Sequence, residues 1–281
     1  MPAERRKIIY IMGLAHSGST VLDMLLTTSG KAVGLGQVWK VLGENVATTK
    51  ERLCSCGAPA TGCELWGPII RELEQLTDKI PPRDRYQLVL DRVERIYGSK
   101  IAIVDSSKHA EHLTVLASEV PGVELAVVHN IKDVRPFTIS ILDNLARKSH
   151  RRELPEKIFY QWYRDNLASH AMAKKVLGRA PIRVMYEGLC LETEGVAERL
   201  ARSLGDSYID PNAALDCGHS HIISGNRLRL PEAGKAKRLA YDYHWLFRSE
   251  WLRPYALMRM VRRYNEQCLR ELGNVGPASA S

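Results

Sequence analysis

Ile8-Ile9-Tyr10-Ile11-Met12-Gly13-Leu14-Ala15-His16-Ser17-Gly18-Ser19-Thr20-Val21-Leu22-Asp23-Met24-Leu25-Leu26 is the stretch on which the fold turns. Residues 8–12 are an uninterrupted apolar run of strand length, and the residues after Thr20 carry apolar positions at helical spacing. Strand, glycine loop and helix start, in that order, aim backbone N–H groups at an anion. Against the phosphate-loop pattern GxxxxGK[ST], Gly13, Gly18 and Thr20 are in place, and Ser19 stands where the pattern has lysine. That lysine supports the β- and γ-phosphates and the phosphoryl group in transit. A cradle without it implies a cargo other than a γ-phosphoryl. The loop alone also allows a plain strand–turn–helix with glycines for close packing, so the decision rests on the rest of the chain.

Working outward, residues 32–36 read as a short second strand and 38–46 as a helix. Residues 68–97 are mostly helical, with a break at Pro81-Pro82. A third strand over 100–104 runs into Asp105-Ser106-Ser107-Lys108, and helical spacing resumes at Leu113, Leu116, Ala117 and Val120. A fourth strand, 123–129, leads into Lys132-Asp133-Val134-Arg135 and another helix; a long helix covers about 156–177, a fifth strand 182–186 and a helix 192–204. Strands alternating with helices imply right-handed crossovers and a parallel sheet of about five strands. The expected fold is therefore α/β, a P-loop-type three-layer α/β/α arrangement with helical additions. Ligands bind such sheets at the carboxyl ends of the strands, where the glycine loop, Asp105, Lys132 and Tyr186 all fall. A single domain is expected over 1–272, loop-rich from about 203 to 231 and helical again from about 243, with a disordered tail at 273–281.

The chain has 281 residues and a formal charge of +8, with its 40 Lys and Arg scattered rather than blocked. No basic run with interleaved aromatics marks a nucleic-acid groove, so a polyanionic small molecule is the better partner and nucleic acid is not expected. No stretch approaches the roughly 20 apolar residues of a membrane span, and the run before the loop is too short for a signal-peptide core. A cytoplasmic protein with no membrane span is the expectation, and an oligomer is allowed. Of the six cysteines, Cys190, Cys217 and Cys268 are isolated and read as small buried residues. Cys54, Cys56 and Cys63 cluster ahead of Trp66 without a histidine among them. Structural zinc wants four ligands, so the spacing favours a reduced or disulfide-pinned loop over a metal site.

Four segments taken together resemble the sulfotransferases that use 3′-phosphoadenosine 5′-phosphosulfate, in particular their bacterial branch. His16-Ser17-Gly18-Ser19-Thr20 is similar to that family's 5′-phosphosulfate loop, with His16 where Arg or Lys is usual. Lys132-Asp133-Val134-Arg135-Pro136-Phe137-Thr138-Ile139-Ser140 resembles the R-D-P-R-x-x-x-x-S segment that grips the 3′-phosphate. Met185-Tyr186-Glu187-Gly188-Leu189 resembles the Y-E-D-L strand end, and His221-Ile222-Ile223-Ser224-Gly225-Asn226-Arg227-Leu228-Arg229 the late G-N-x-x-R loop of bacterial members. The Cys54–Trp66 segment and Val104-Asp105-Ser106-Ser107-Lys108 also recur in that branch. The resemblance spans residues 7–229 in order. It implies a donor held by His16, Ser17, Gly18, Ser19, Thr20, Lys132, Ser140, Tyr186, Gly225, Asn226, Arg227 and Arg229, and a reaction that requires no metal.

The physics of sulfuryl transfer fits those residues. The donor carries a phosphosulfate and a separate 3′-phosphate, so it needs two anion stations; the loop supplies one, and Lys132 with Ser140 the other. Transfer in line, with charge spread over three equatorial oxygens, is accelerated by positioning and electrostatics. His16, as imidazolium beside the bridging oxygen, implies a pH dependence near neutrality. Lys108 is a candidate contact for the sulfuryl oxygens. The base is less determined: relatives carry glutamate after the glycine that ends the second strand, and this chain has Gln37. Gln37 either orients the acceptor or leaves the proton to His109, Asp105 or Glu44. Trp39, Phe137, Leu142, Tyr160, Trp162, Tyr163 and the stretch 241–245 offer an apolar pocket or, for at least half of them, core. The acceptor expected is an amphipathic alcohol or phenol. Two other readings are a P-loop small-molecule kinase, with Asp105 as its Mg²⁺ carboxylate, and a non-catalytic module, either nucleotide-binding or a small zinc-binding protein built on the cysteine cluster.

Overall fold

A computed structural model describes residues 5–43, 46–76, 80–149, 153–215, 219–231 and 237–270. Glu44, Cys217 and the tail at 273–281 lie outside the described residues. The chain runs β1 (Arg6–Met12), α1 (Ser19–Leu25), β2 (Ala32–Gly36), α2 (Val38–Gly43), α3 (Val46–Lys50), α4 (Trp66–Gln75), α5 (Pro82–Tyr97), β3 (Ala102–Lys108) and α6 (Ala110–Ser118). It continues with β4 (Val123–Ile131), α7 (Val134–Ser149), α8 (Pro155–Leu177), β5 (Ile182–Met185), α9 (Tyr186–Leu191), α10 (Thr193–Leu204), α11 (Leu252–Leu257) and α12 (Arg259–Arg270). The strands form one five-stranded sheet in the order β2-β3-β1-β4-β5, and every pairing is parallel. The connection leaving β1 crosses towards β2, while that leaving β4 goes the other way to β5, so the strand order switches between β1 and β4. A crevice opens at such a point, outside the carboxyl ends of the strands.

Strand alternation sorts the core into two faces. Ile8, Tyr10 and Met12 of β1 pack with Ile103 and Val127 against α2, α4, α5 and α6. Ile9 and Ile11 pack with Val104 and Val128 against α1 and α10. A third cluster joins Phe137 of α7, Phe159 and Trp162 of α8, and Val261 and Tyr264 of α12 beside the end of β4. The α/β/α layering expected from the strand–helix alternation is present, with the helical addition at the C-terminus. Among the described residues no helix is long and apolar enough to cross a membrane.

Three local expectations are corrected. β3 does not stop at 104 but runs through Lys108, because Asp105, Ser106 and Ser107 are buried polar residues that hydrogen-bond one another and their neighbours. The helix expected over 38–46 ends at Gly43, and a separate short helix begins at Val46. The stretch after β5 turns at once into α9, whose Tyr186, Glu187, Gly188 and Leu189 are all buried.

Candidate active site

The loop between β1 and α1 is bent by glycines where side chains would not fit. Gly18 has φ of +89°, and a methyl there would fall on the Tyr186 ring. Gly13 is packed against the Asn130 carbonyl, and Asn130 Nδ2 donates to Ser17 O at 2.8 Å, which fastens the loop to β4. The amides of Gly18, Ser19 and Thr20 find no acceptor among the described residues, as expected of a first helical turn. The Ser17 hydroxyl is buried without a partner. The loop therefore faces the crevice with unspent donors.

Among the described residues only two that are not glycine take a positive φ, His16 at 70° and Lys108 at 73°. Such conformations persist where surrounding structure imposes them, and they concentrate at functional sites. Both belong to this crevice, one after β1 and one at the end of β3. His16 Nδ1 lies 3.0 Å from Ser140 Oγ on α7, which joins the glycine loop to the Lys132 segment. Burial first, then the charges of Lys108, Lys132, Lys148 and Arg147, hold the His16 imidazole below its ordinary value. Burial and the surrounding cations thus disfavour the imidazolium form of His16.

Lys132 is clamped by its own backbone and stacked by its side chain. Trp162 Nε1 donates to Lys132 O at 3.0 Å, and the ammonium lies 4.7 Å from the centre of the Tyr186 ring. Tyr186 thus carries the loop at Gly18 and the Lys132 ammonium on one ring, a favourable cation–π arrangement. Burial lowers the Lys132 pKa, with Glu187 and Asp242 acting in opposition. Lys132 and Ser140 line one cavity of about 170 Å³, together with Arg147, Asp143, Asp242 and Trp245. Arg147 is a cation that the residue-by-residue reading missed. Ser140, Asp143 and Arg147 sit at helical spacing along α7, and that periodicity was the available signal. Arg135 does not enter this cavity. It pairs with Asp133 through Nε at 3.0 Å and lies over Trp245, Trp251 and Tyr255.

The late loop reaches the glycine loop at one point. Gly225, with φ of +141°, packs on the Thr20 hydroxyl, and Asn226 N donates to Thr20 Oγ1 at 3.4 Å. Asn226 Oδ1 caps the following turn by accepting from Leu228 N at 3.0 Å. Arg227 is exposed on that turn. Arg229 is a correction: its guanidinium donates to Leu53 O at 2.6 Å and to Ile222 O at 3.2 Å, so it fastens the cysteine loop to the late loop instead of closing over a phosphate.

On the β2/β3 side the carboxyls are buried and occupied. Asp23, unremarked in the sequence although it is a lone acid in the apolar run of α1, is 0 % exposed. Its Oδ2 accepts from Gly36 N at 3.1 Å and from Ser106 Oγ at 2.8 Å, which holds the turn into Gln37. Burial pushes its pKa up to about 8. Asp105, also 0 % exposed, accepts from Tyr86 Oη at 2.9 Å, Ser107 N at 2.8 Å and Ser107 Oγ at 2.5 Å. Burial raises it to about 6. Both oxygens of Asp105 are engaged and the side chain is closed off from solvent, which disfavours it as a base. Gln37 is half-buried at the start of α2, and His109 is exposed at the start of α6, its ring edge-on to His112 with centroids 5.7 Å apart. His112 stacks on Trp39 at 4.9 Å. Burial and Lys40 bring the Lys108 ammonium down to about 8. Of the aromatic candidates, Trp39, Phe137 and Trp162 are core, Trp245 is buried but lines the Lys132 cavity, and Tyr160 and Tyr243 are exposed.

No family model and no curated protein matches the chain. Among solved structures it is similar to the sulfotransferase domain from the curacin biosynthetic pathway, with a TM-score of 0.52 and 14% identity over 92% of this chain and 99% of that one. It also matches the sulfotransferase domain from the Synechococcus PCC 7002 olefin synthase at 16% identity over 98% of each chain, with a TM-score of 0.46. The first of these likenesses shows that the chain has the fold of a sulfotransferase domain. A fold of this kind hosts many reactions, so the chemistry is argued from the site.

Proposed function

We propose that the chain is a sulfotransferase that takes a sulfuryl group from 3′-phosphoadenosine 5′-phosphosulfate and passes it to the hydroxyl of a small alcohol or phenol. The observation that carries this reading is the hydrogen bond between the lysine-free loop and the Lys132 cavity, with His16 Nδ1 and Ser140 Oγ 3.0 Å apart. It supports a reading with two anion stations across the β1/β4 switch point, which is what a donor with two separated phosphate groups requires.

The residues present fit such a donor. The amides of Gly18, Ser19 and Thr20 and the Ser17 hydroxyl would hold the 5′ end, while Lys132, Ser140 and Arg147 would hold the 3′-phosphate. Donors fixed in place before the reaction act on developing charge without reorganising. In the transfer the bond from sulfur to the bridging oxygen breaks, a bond from sulfur to the acceptor oxygen forms, and 3′-phosphoadenosine 5′-phosphate leaves. With its Nδ1 accepting from Ser140 Oγ, His16 can donate one hydrogen bond from Nε2 towards that departing oxygen. Lys108 balances charge on the sulfuryl oxygens. The acceptor proton goes to His109, exposed at the start of α6, in preference to the buried and hydrogen-bonded Asp105, with Gln37 orienting the hydroxyl. A kinase is disfavoured, since Asp105 would have to abandon three hydrogen bonds to hold Mg²⁺.

The test is a transfer assay with donor labelled in the sulfuryl group, offered to a panel of phenols and aliphatic alcohols without added Mg²⁺. Labelled sulfate ester appearing with 3′-phosphoadenosine 5′-phosphate supports the reading. Phosphorylation of the panel from ATP and Mg²⁺, with no sulfate ester formed, would overturn it.

A further inference from the structure

The three-cysteine loop is incomplete as a metal site only along the sequence. Cys54, Cys56 and Cys63 are joined in space by His221, and the three sulfurs and the imidazole nitrogen all lie within 4.8 Å of one another. We propose that these four side chains bind one structural zinc ion. The proposal replaces the reading of the loop as a reduced or disulfide-pinned turn, and it is independent of what the enzyme transfers.

The spacing is that of a tetrahedral ligand cage. Zinc–sulfur bonds of about 2.3 Å and zinc–nitrogen bonds of about 2.0 Å put the corners of a tetrahedron roughly 3.5–3.8 Å apart. Cys63 Sγ lies 3.7 Å from Cys54 Sγ and 3.2 Å from His221 Nδ1, and Cys54 Sγ lies 3.9 Å from the same nitrogen. The other ring nitrogen of His221 meets the Tyr97 hydroxyl at 2.5 Å, the outer hydrogen bond that metal-bound histidines use to fix their orientation.

The local fold is spent on presenting these ligands. Gly57, with φ of +90°, reverses the chain between Cys56 and Ala58, and Cys54 N donates to Ala58 O at 2.9 Å. A single 3-10 turn over Ala60–Gly62 then returns Cys63 to the others. His221 is brought in by Ser55, whose hydroxyl donates to Ser220 O at 2.7 Å and accepts from Ile222 N at 2.8 Å. Trp66 Nε1 donates to His221 O at 2.5 Å. Cys54 is 0 % exposed and Cys63 2 %, which denies a substrate access to a Cys–His nucleophile and leaves a closed structural site. The site staples residues 54–63 to the segment that ends at Gly225 and Asn226 on the glycine loop, so it acts as a brace for that loop.

The full chain, purified without a metal-affinity column, should contain about one zinc per chain by elemental analysis. Cobalt(II) exchanged for zinc should show thiolate-to-cobalt charge transfer and tetrahedral d–d bands, both lost in Cys63→Ser and His221→Ala. Should those buried-site variants not fold, Cys56→Ser alters only the exposed ligand and should weaken metal retention against a chelator by ~10-fold or more. Zinc far below one per chain with no tetrahedral cobalt spectrum would overturn the assignment, as would a Cys54–Cys63 disulfide in the freshly isolated chain.

Discussion

On the β1/β4 side of the crevice, short segments put their chemistry on the backbone: Gly13, Gly18 and the amides of Ser19 and Thr20 shape the loop, and Lys132 leaves the end of β4 with its carbonyl held by Trp162. On the β2/β3 side the work is done by long-range packing. Asp23 of α1 reaches Gly36 and Ser106, Tyr86 of α5 reaches Asp105, and Trp39 lies between Tyr86 and His112. The first side is cationic and leaves donors unspent; the second buries its acids and leaves one exposed imidazole, His109. Binding residues that form a motif announce themselves locally, whereas a base whose position depends on packing does not.

Breaking the first side should have the largest effect. In Gly18→Ala the new methyl meets the Tyr186 ring at φ of +89°, disturbing the ring that also carries Lys132. Calorimetry should show affinity for 3′-phosphoadenosine 5′-phosphate falling by about 100-fold or more, near 2.7 kcal/mol. Lys132→Ala removes one charge-assisted contact and should cost about 1.5–3 kcal/mol of the same affinity. Unchanged affinity would mean that the 3′-phosphate station lies elsewhere.

On the second side the effects are titrations. Asp23, pushed up to about 8, favours the folded state most below the ordinary carboxyl range and loses that contribution as pH rises towards its folded value. Wild-type stability should therefore fall between about pH 5 and pH 8, by on the order of 3 kcal/mol. Asp23→Asn should flatten the fall in chemical denaturation, and an unchanged slope would place the titration elsewhere. Lys108, lowered to about 8, loses its charge as pH rises through that value. Sulfuryl transfer should slow by up to about tenfold above it, and Lys108→Arg should remove the step. The smallest effect is expected from Arg229→Ala. Its guanidinium is committed to Leu53 O and Ile222 O, so affinity should stay within about twofold while melting temperature drops.

The same contrast explains what could be read from the amino-acid order. The second strand was legible as residues 32–36 because Gly34 and Gly36 flank apolar residues at strand spacing. The fold class followed from strand–helix alternation. His16, Lys132 and Ser140 could be named because each sits in a segment of recognisable pattern, and they lie together across β1 and β4. The extension of β3 to Lys108 was not legible, since Asp105, Ser106 and Ser107 look like a loop until their hydrogen bonds across α1 and α5 are drawn. Arg229 looked like a phosphate ligand because nothing local tells a guanidinium whether a carbonyl or an anion will meet it. His221 lies so far along the chain from Cys63 that only the folded chain makes them neighbours.

The central claim is that the loop without lysine and the Lys132 cavity hold one donor with two separated phosphate groups. Calorimetry of the purified chain with 3′-phosphoadenosine 5′-phosphate, set against adenosine 5′-phosphate and against ATP with Mg²⁺, tests it most directly. The account predicts tight binding of the first without magnesium, with a loss of about 1.5–3 kcal/mol when the 3′-phosphate is absent and a matching, non-additive loss in Lys132→Ala. Tighter binding of ATP with Mg²⁺, or indifference to the 3′-phosphate, would contradict it.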